Sequence, residues 1–220
     1  MSHETETPPA PPPTHSNRPS SFLVGMAFVV LAAAAGLAGR AALDAREPSK
    51  DDAVLPPEPF PVISTLPTFK FVERSGKPVG LEDLRGKVWV ADFIFTNCAG
   101  VCPRMSMAMA RVHEAVRRNG DLCVSFTVDP ERDTLEVLKG YAARYSASAD
   151  SWLFLRGPQA EVQSLSYKGF LIGDEKDPFI HSERFALVDR QGRVRGYYHA
   201  LDDGKVEELL RDYKRLRAEL

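Results

Sequence analysis

Val88-Trp-Val-Ala-Asp92-Phe-Ile-Phe95-Thr-Asn-Cys98-Ala-Gly-Val-Cys102-Pro103 is the stretch on which the fold turns. Val88 to Phe95 is rich in β-branched and aromatic residues and reads as a central strand. Pro103 suits the first position of a helix, which puts Cys102 at the N-cap. Helical spacing continues to Arg118 and stops at Asn119-Gly120. Two cysteines four apart therefore stand where a strand turns into a helix. Free backbone N–H groups and the helix dipole stabilise a thiolate at such a point. Gly100 lets the loop carrying Cys98 curl, so both sulfurs can converge on one ion or on each other. A C-x-x-C spacing would point to dithiol redox work. C-x-x-x-C has one residue more and suits either oxidation or a two-thiolate metal clamp. Two unrelated core cysteines are the plainer alternative, and their placement at one turn argues against it.

Working outward, Phe69 to Val72 and Lys77 to Val79 flank Ser75-Gly76 as an N-terminal hairpin. Leu122 to Val128 reads as a second strand, Thr134 to Tyr145 as a helix, and Trp152 to Leu155 as a short strand. Pro158 opens another helix. Arg184 to Val188 and Val194 to Tyr198 flank Asp189-Arg-Gln-Gly192 as a hairpin. A last helix, capped by Asp202 or Asp203, runs to about Ala218. Strands alternating with helices predict an α/β fold with a mixed sheet covered on both faces.

The remainder of the 220 residues is organised differently. Twelve of the 17 prolines fall in the first 67 residues, and no charge occurs from Pro19 to Gly39. Residues 1–20 read as a disordered tail. The uncharged run Phe22–Gly39 is 18 residues long, near the lower limit for crossing a bilayer, where about 20 apolar residues are needed. It has no polar face, so residues 21–43 are expected to form a transmembrane signal anchor rather than a core helix. An uncleaved anchor is preferred to a signal peptide, because Gly39-Arg40-Ala41 is a poor cleavage site and the preceding tail is long. No cysteine follows until Cys98, which speaks against a lipoprotein anchor. Residues 44–66 read as a proline-rich tether, and residues 67–220 as the folded domain. The 28 basic and 30 acidic side chains give a net charge of −2, without the basic excess of a nucleic-acid binder. Three cysteines are too few for a disulfide-built scaffold.

Two thiolates leave room for a further ligand, and soft sulfur selects copper(I), zinc or iron–sulfur clusters. A closed zinc site or a cluster needs about four ligands. Cys123 lies in an apolar strand and reads as packing. His3 and His15 are in the tail, His113 is about three helical turns beyond Cys102, and His199 reads as a surface residue. His181 follows the polar segment Gly173-Asp-Glu-Lys-Asp-Pro178 and stands where a loop meets a strand. Spacing alone favours a hydrogen-bonded loop histidine over a ligand. Met105 and Met109 are four apart, the spacing of a packed helix face, so the Met105, Met107 and Met109 set is read as packing rather than a thioether site.

Three blocks together resemble the Sco/SenC family. They are Asp92 to Pro103 with its C-x-x-x-C-P, Thr127-Val-Asp129-Pro-Glu-Arg-Asp133-Thr134, and His181-Ser-Glu-Arg-Phe-Ala-Leu-Val-Asp189-Arg-Gln-Gly192. The likeness runs from about Pro67 to the C-terminus, and the tail, apolar segment and tether match the family's layout of one anchor and an exported domain. The resemblance implies a thioredoxin-like fold with an inserted hairpin. It implies copper bound by Cys98, Cys102 and His181, with Asp129 near the site to orient it; Asp129 also reads as a turn or cap residue. It further implies delivery of copper to the binuclear copper site of the cytochrome c oxidase copper subunit, or reduction of a disulfide during that assembly, aided by a thioredoxin-type reductant. The domain would then sit on the exported side of the membrane, in a periplasm or its equivalent. One departure is visible: many members carry Pro and an acidic residue after the first cysteine, where this chain has Ala99 and Gly100.

Three rivals follow from the same residues. A thiol–disulfide oxidoreductase needs only the cysteine pair. A peroxidase on this fold needs one activated thiolate with Thr and Arg rather than a pair. A copper or redox sensor would need an output module, which the sequence does not suggest.

Overall fold

Six consecutive buried residues, Trp89–Ile94, form the central strand β4 of a mixed sheet. The structure is a computed structural model that describes residues 59–173 and 183–219. Its other strands are β1 (Ser64–Thr65), β2 (Lys70–Glu73), β3 (Pro78–Gly80), β5 (Leu122–Thr127), β6 (Trp152–Arg156), β7 (Arg184–Val188) and β8 (Arg193–His199). The sheet order is β1-β8-β7-β4-β5-β6-β2-β3. β4, β5 and β6 pair in parallel, while β7, β8 and the β2–β3 hairpin are antiparallel to their neighbours. Parallel neighbours need a crossover. Helices α2 (Val101–Arg117) and α3 (Leu135–Arg144) supply the two here.

Alternation along β4 divides its side chains between two cores. Val90 and Ile94 join α2, α3 and the C-terminal helix α5 (Asp203–Ala218) through Met105, Met109, Val112, Leu138, Leu209 and Tyr213. Trp89, Ala91 and Phe93 face the opposite core with Leu81 and Leu84 of α1 (Leu81–Leu84), Val162 of α4 (Gln159–Ser164), and Phe170. A π-helical turn, Leu165–Gly169, extends α4. Helices thus cover both faces, as the pattern predicts. The helix stop at Asn119-Gly120 is also where expected, with Gly120 at φ +74°.

The folded part starts earlier than Pro67. Ser64–Thr65 adds an edge strand against β8, and the guanidinium of Arg195 bonds the carbonyls of Phe60 and Pro61. Proline spacing concealed these residues, because a short edge strand needs little apolar sequence. The described residues contain two hairpins, β2–β3 and β7–β8, and no inserted one. The tail, the apolar segment 21–43 and most of the tether lie outside the described residues, as does His181. Among the described residues no helix is long and apolar enough to cross a membrane.

Gly157, just after β6, is fixed by close packing. A Cβ there would lie 2.2–2.9 Å from ring carbons of Phe71. That ring is buried, tilted against Phe69 and edge-on to Phe126 at centroid distances of 5.3 and 6.1 Å. Gly157→Ala is expected to cost about 1–3 kcal/mol by overpacking. Urea unfolding would show it as a lower midpoint at unchanged slope.

Candidate metal centre

Open parallel sheets place their ligand sites at the carboxyl ends of the strands. β4 ends at Ile94, and Phe95 to Gly100 form the turn leading into α2. The Cys98 N–H closes that turn on the Phe95 carbonyl at 3.3 Å. The helix begins two residues earlier than the sequence predicts: Gly100 is its N-cap, Val101 its first residue, and Cys102 its second. Proline is compatible with the third position because the first-turn N–H groups have no intrahelical partner. The consequence is chemical. The backbone N–H groups of Gly100, Val101 and Cys102 are left available for the Cys98 sulfur.

The two thiols, neither in a disulfide, have opposite environments. Partial burial pushes the Cys98 thiol up. The N–H groups of Cys102, Gly100 and Val101, together with the Cys102 thiol, outweigh that effect and hold its pKa below the ordinary cysteine range. Cys102 is fully buried in the cluster that contains Val90, Ile94 and Met105. Burial, helped by Cys98 and by Asp92, pushes its pKa up to about 12, against the pull of a backbone hydrogen bond at Phe95. The pair is therefore one accessible, thiolate-prone sulfur over one buried, protonated sulfur within reach of it.

Asp92 is the least expected neighbour. It projects from β4 toward the α2 side, is fully buried, and neither carboxylate oxygen has a hydrogen-bond partner among the described residues. Burial pushes its pKa up to about 7, tempered by the nearby Ser125 hydroxyl. That hydroxyl already accepts a hydrogen bond from the Trp152 indole at 2.9 Å.

The loop after β5 borders the same end of the sheet. Asp129 is nearly buried; Arg132 pairs with its carboxylate at 3.0 Å, and its N–H donates to the Thr127 hydroxyl. Asp133, to which the sequence assigns no role, is fully buried and accepts hydrogen bonds from Thr96 and Thr127. The signal for Asp92 was a lone carboxylate in an eight-residue apolar run. Asp133 offered none, because its partners come from two separate strands.

The remaining candidates fall where the sequence expects. Cys123 is buried in β5, and burial raises its pKa well above the ordinary cysteine range. His113 is buried and bonds the Ser151 hydroxyl at 2.9 Å. His199 ends β8, half-exposed, beside Glu183 at 3.2 Å. Met105 and Met109 are buried in the core, and Met107 points to solvent. Among the described residues no group of three or more His, Cys, Asp and Glu converges as a metal cage.

Comparison with known proteins bears on what this pair belongs to. The sequence profile described as SCO1/SenC matches residues 62–217. The chain belongs to the SCO1/SenC family. It is 39% identical over 153 residues to the SCO1 protein homolog of Bacillus subtilis, covering 66% of this chain and 79% of that one. The solved structure of BsSco, described as a member of the Sco family of cytochrome c oxidase assembly proteins with a disulfide switch, matches with a TM-score of 0.62 and 34% identity. That match covers 71% of this chain and 96% of the solved one. ScoI of Bradyrhizobium japonicum, solved with copper bound, matches with a TM-score of 0.56 and 26% identity, over 70% and 99%. The mixed sheet with helices on both faces is thus the thioredoxin-like fold of the Sco family.

Proposed function

We propose that this chain is a membrane-tethered copper metallochaperone that delivers copper to the binuclear copper site of the cytochrome c oxidase copper subunit. The observation that carries the reading is the unequal thiol pair at the start of α2. Two sulfurs within reach of each other offer the soft donors that copper(I) prefers. His181 completes the ligand set from the segment 174–182. Asp129 stands beside the pair as an orienting group. Family membership, the copper held by the Bradyrhizobium relative and the assembly role named for BsSco support the same reading.

The mechanism follows from the protonation states. Cys98 is the entry point, because it is accessible and its thiolate is favoured. Cys102 keeps its proton until the ion arrives, since a coordinating thiol is deprotonated outright. Loading therefore releases protons and strengthens as pH rises. Transfer is a ligand exchange in which His181 and the half-exposed Cys98 yield first and the buried Cys102 last. Residues 21–43 anchor the chain and residues 44–66 tether the domain on the exported side. There a thioredoxin-type reductant keeps the pair reduced.

The same asymmetry favours a second reading, thiol–disulfide reduction of a partner. The Cys98 thiolate attacks a partner disulfide, forming a mixed disulfide and releasing one partner thiolate. Cys102 then loses its proton and attacks Cys98, releasing the second thiolate and leaving Cys98–Cys102 oxidised by two electrons. His181→Ala separates the two readings. As a chaperone ligand, its loss is expected to lower copper(I) affinity by more than about tenfold while disulfide reduction persists. Copper(I) affinity equal to wild type in that variant would exclude His181 from the site. Competition against a chromophoric copper(I) chelator measures the first quantity, and reduction of a model disulfide the second.

A further inference from the structure

The turn that carries Cys98 has two attachments of different strength. On one side Cys102 is fixed by α2 and by full burial. On the other, Cys98 hangs from the end of β4. Asn97, Ala99 and Gly100 are exposed, and a Cβ on Gly100 would meet nothing within 4 Å. The backbone ladder between β4 and β5 closes with Val128 N–H on the Ile94 carbonyl. Beyond it the Thr96 N–H has no strand partner. Asp133 takes that place. Its carboxylate accepts from the Thr96 N–H at 3.1 Å, the Thr96 hydroxyl at 2.5 Å and the Thr127 hydroxyl at 2.5 Å. The Asp133 N–H in turn donates to the Asp129 carbonyl at 2.9 Å, and Thr134 beside it caps α3.

We infer that Asp133 is a positioning residue for the cysteine pair: it clamps Thr96, two residues before Cys98, to the end of β5 and so fixes where the Cys98 sulfur stands relative to Cys102. This rests on the copper-site reading above for its metal consequence, though not for its effect on Cys98 itself. A fully buried carboxylate with three donors, two of them short, is a stiff anchor, because charge-assisted hydrogen bonds are stronger than neutral ones. Without it the end of β4 is free to lift, and the Cys98 sulfur moves off the N–H groups of the α2 N-terminus.

The test compares two buried carboxylates at opposite ends of the sheet. Asp121 precedes β5, accepts from the Val88 N–H at 3.0 Å and the Tyr213 hydroxyl at 2.7 Å, and pairs with Arg217. None of these partners belongs to the cysteine turn. Asp133→Asn places an amide N–H₂ where an oxygen accepted, so at least one bond is lost. In the full, reduced chain it is expected to lower copper(I) affinity about tenfold, as loss of an outer-shell partner does. It is also expected to slow iodoacetamide alkylation of Cys98 at neutral pH severalfold. Asp121→Asn should lower the unfolding midpoint and leave both quantities at wild-type values. Thr127→Val, which removes one of the three donors to Asp133 and also the acceptor of the Asp129 N–H, should fall between wild type and Asp133→Asn, and it carries the test if Asp133→Asn fails to fold. Wild-type affinity and alkylation in these clamp variants overturn the inference, as does an equal loss of both in Asp121→Asn. A wild-type chain that binds no copper(I) overturns the functional reading instead, and alkylation of Cys98 still decides the role of Asp133.

Discussion

Reduced Cys102→Ser protein is expected to bind copper(I) more than about 100-fold more weakly than wild type, a larger loss than removing a supporting residue produces. The argument rests on coordination and on burial. Serine replaces a soft thiolate with a hydroxyl that stays protonated and ligates copper(I) poorly. It also puts a polar group into the cluster that contains Val90, Ile94 and Met105, where the thiol is fully buried. That costs about 1–3 kcal/mol if the hydroxyl finds no partner. Unfolding in urea must therefore accompany the copper titration, so that weak binding is not a consequence of unfolding. Cys98→Ser is the cleaner partner experiment, since Cys98 is only half-buried. It should lose copper(I) affinity to a similar degree with little change in stability. Retention of tight binding by a folded Cys102→Ser protein would mean that the buried sulfur is no ligand.

Asp92→Asn is expected to stabilise the protein at pH 8 by about 2–4 kcal/mol and to do little near pH 4. Burial raises the Asp92 pKa to about 7 from an ordinary 3.8. The folded state thus holds this proton more tightly than the unfolded chain does. Its contribution to stability is fully present below about pH 4 and is lost as pH climbs toward 7, at up to 1.36 kcal/mol per unit. Above pH 7 the folded protein carries an ionised carboxylate with no hydrogen-bond partner among the described residues. Asparagine is neutral throughout and removes that charge. Denaturant unfolding of both proteins at pH 4, 6 and 8 reads the effect directly. Parallel pH profiles would show that Asp92 does not titrate in this range. The same charge disfavours a thiolate on Cys102, so Asp92→Asn should also ease copper loading at pH 8.

Much of this architecture is legible in local sequence. The eight-residue apolar run gave β4, Asn119-Gly120 gave the end of α2, and Asp189-Arg-Gln-Gly192 gave the β7–β8 turn. Asp189 holds that turn by accepting from the Gln191 and Arg193 N–H groups. These features are set within a few residues, so periodicity and turn chemistry reveal them. Features made by distant partners stayed hidden. β1 exists only because β8 supplies its ladder. The start of α2 shifted because proline is accepted anywhere in a first turn, so Pro103 could not mark its position uniquely. The cysteine pair itself was plain from its place between strand and helix. The unequal protonation of its two sulfurs depends on how deep each lies and on which N–H groups turn inward. Asp133 lies in a recognisable motif, but its function as a clamp depends on the ends of two strands being brought side by side.

The central claim is that Cys98, Cys102 and His181 hold one copper(I) ion between them. Its most direct test is copper(I) affinity and stoichiometry of the reduced chain, set beside Cys98→Ser, Cys102→Ser and His181→Ala, each shown to be folded. The account predicts one tightly held ion in wild type, near-complete loss of tight binding in both serine variants, and a loss of more than about tenfold in His181→Ala. Equal copper loading by all four proteins would contradict it.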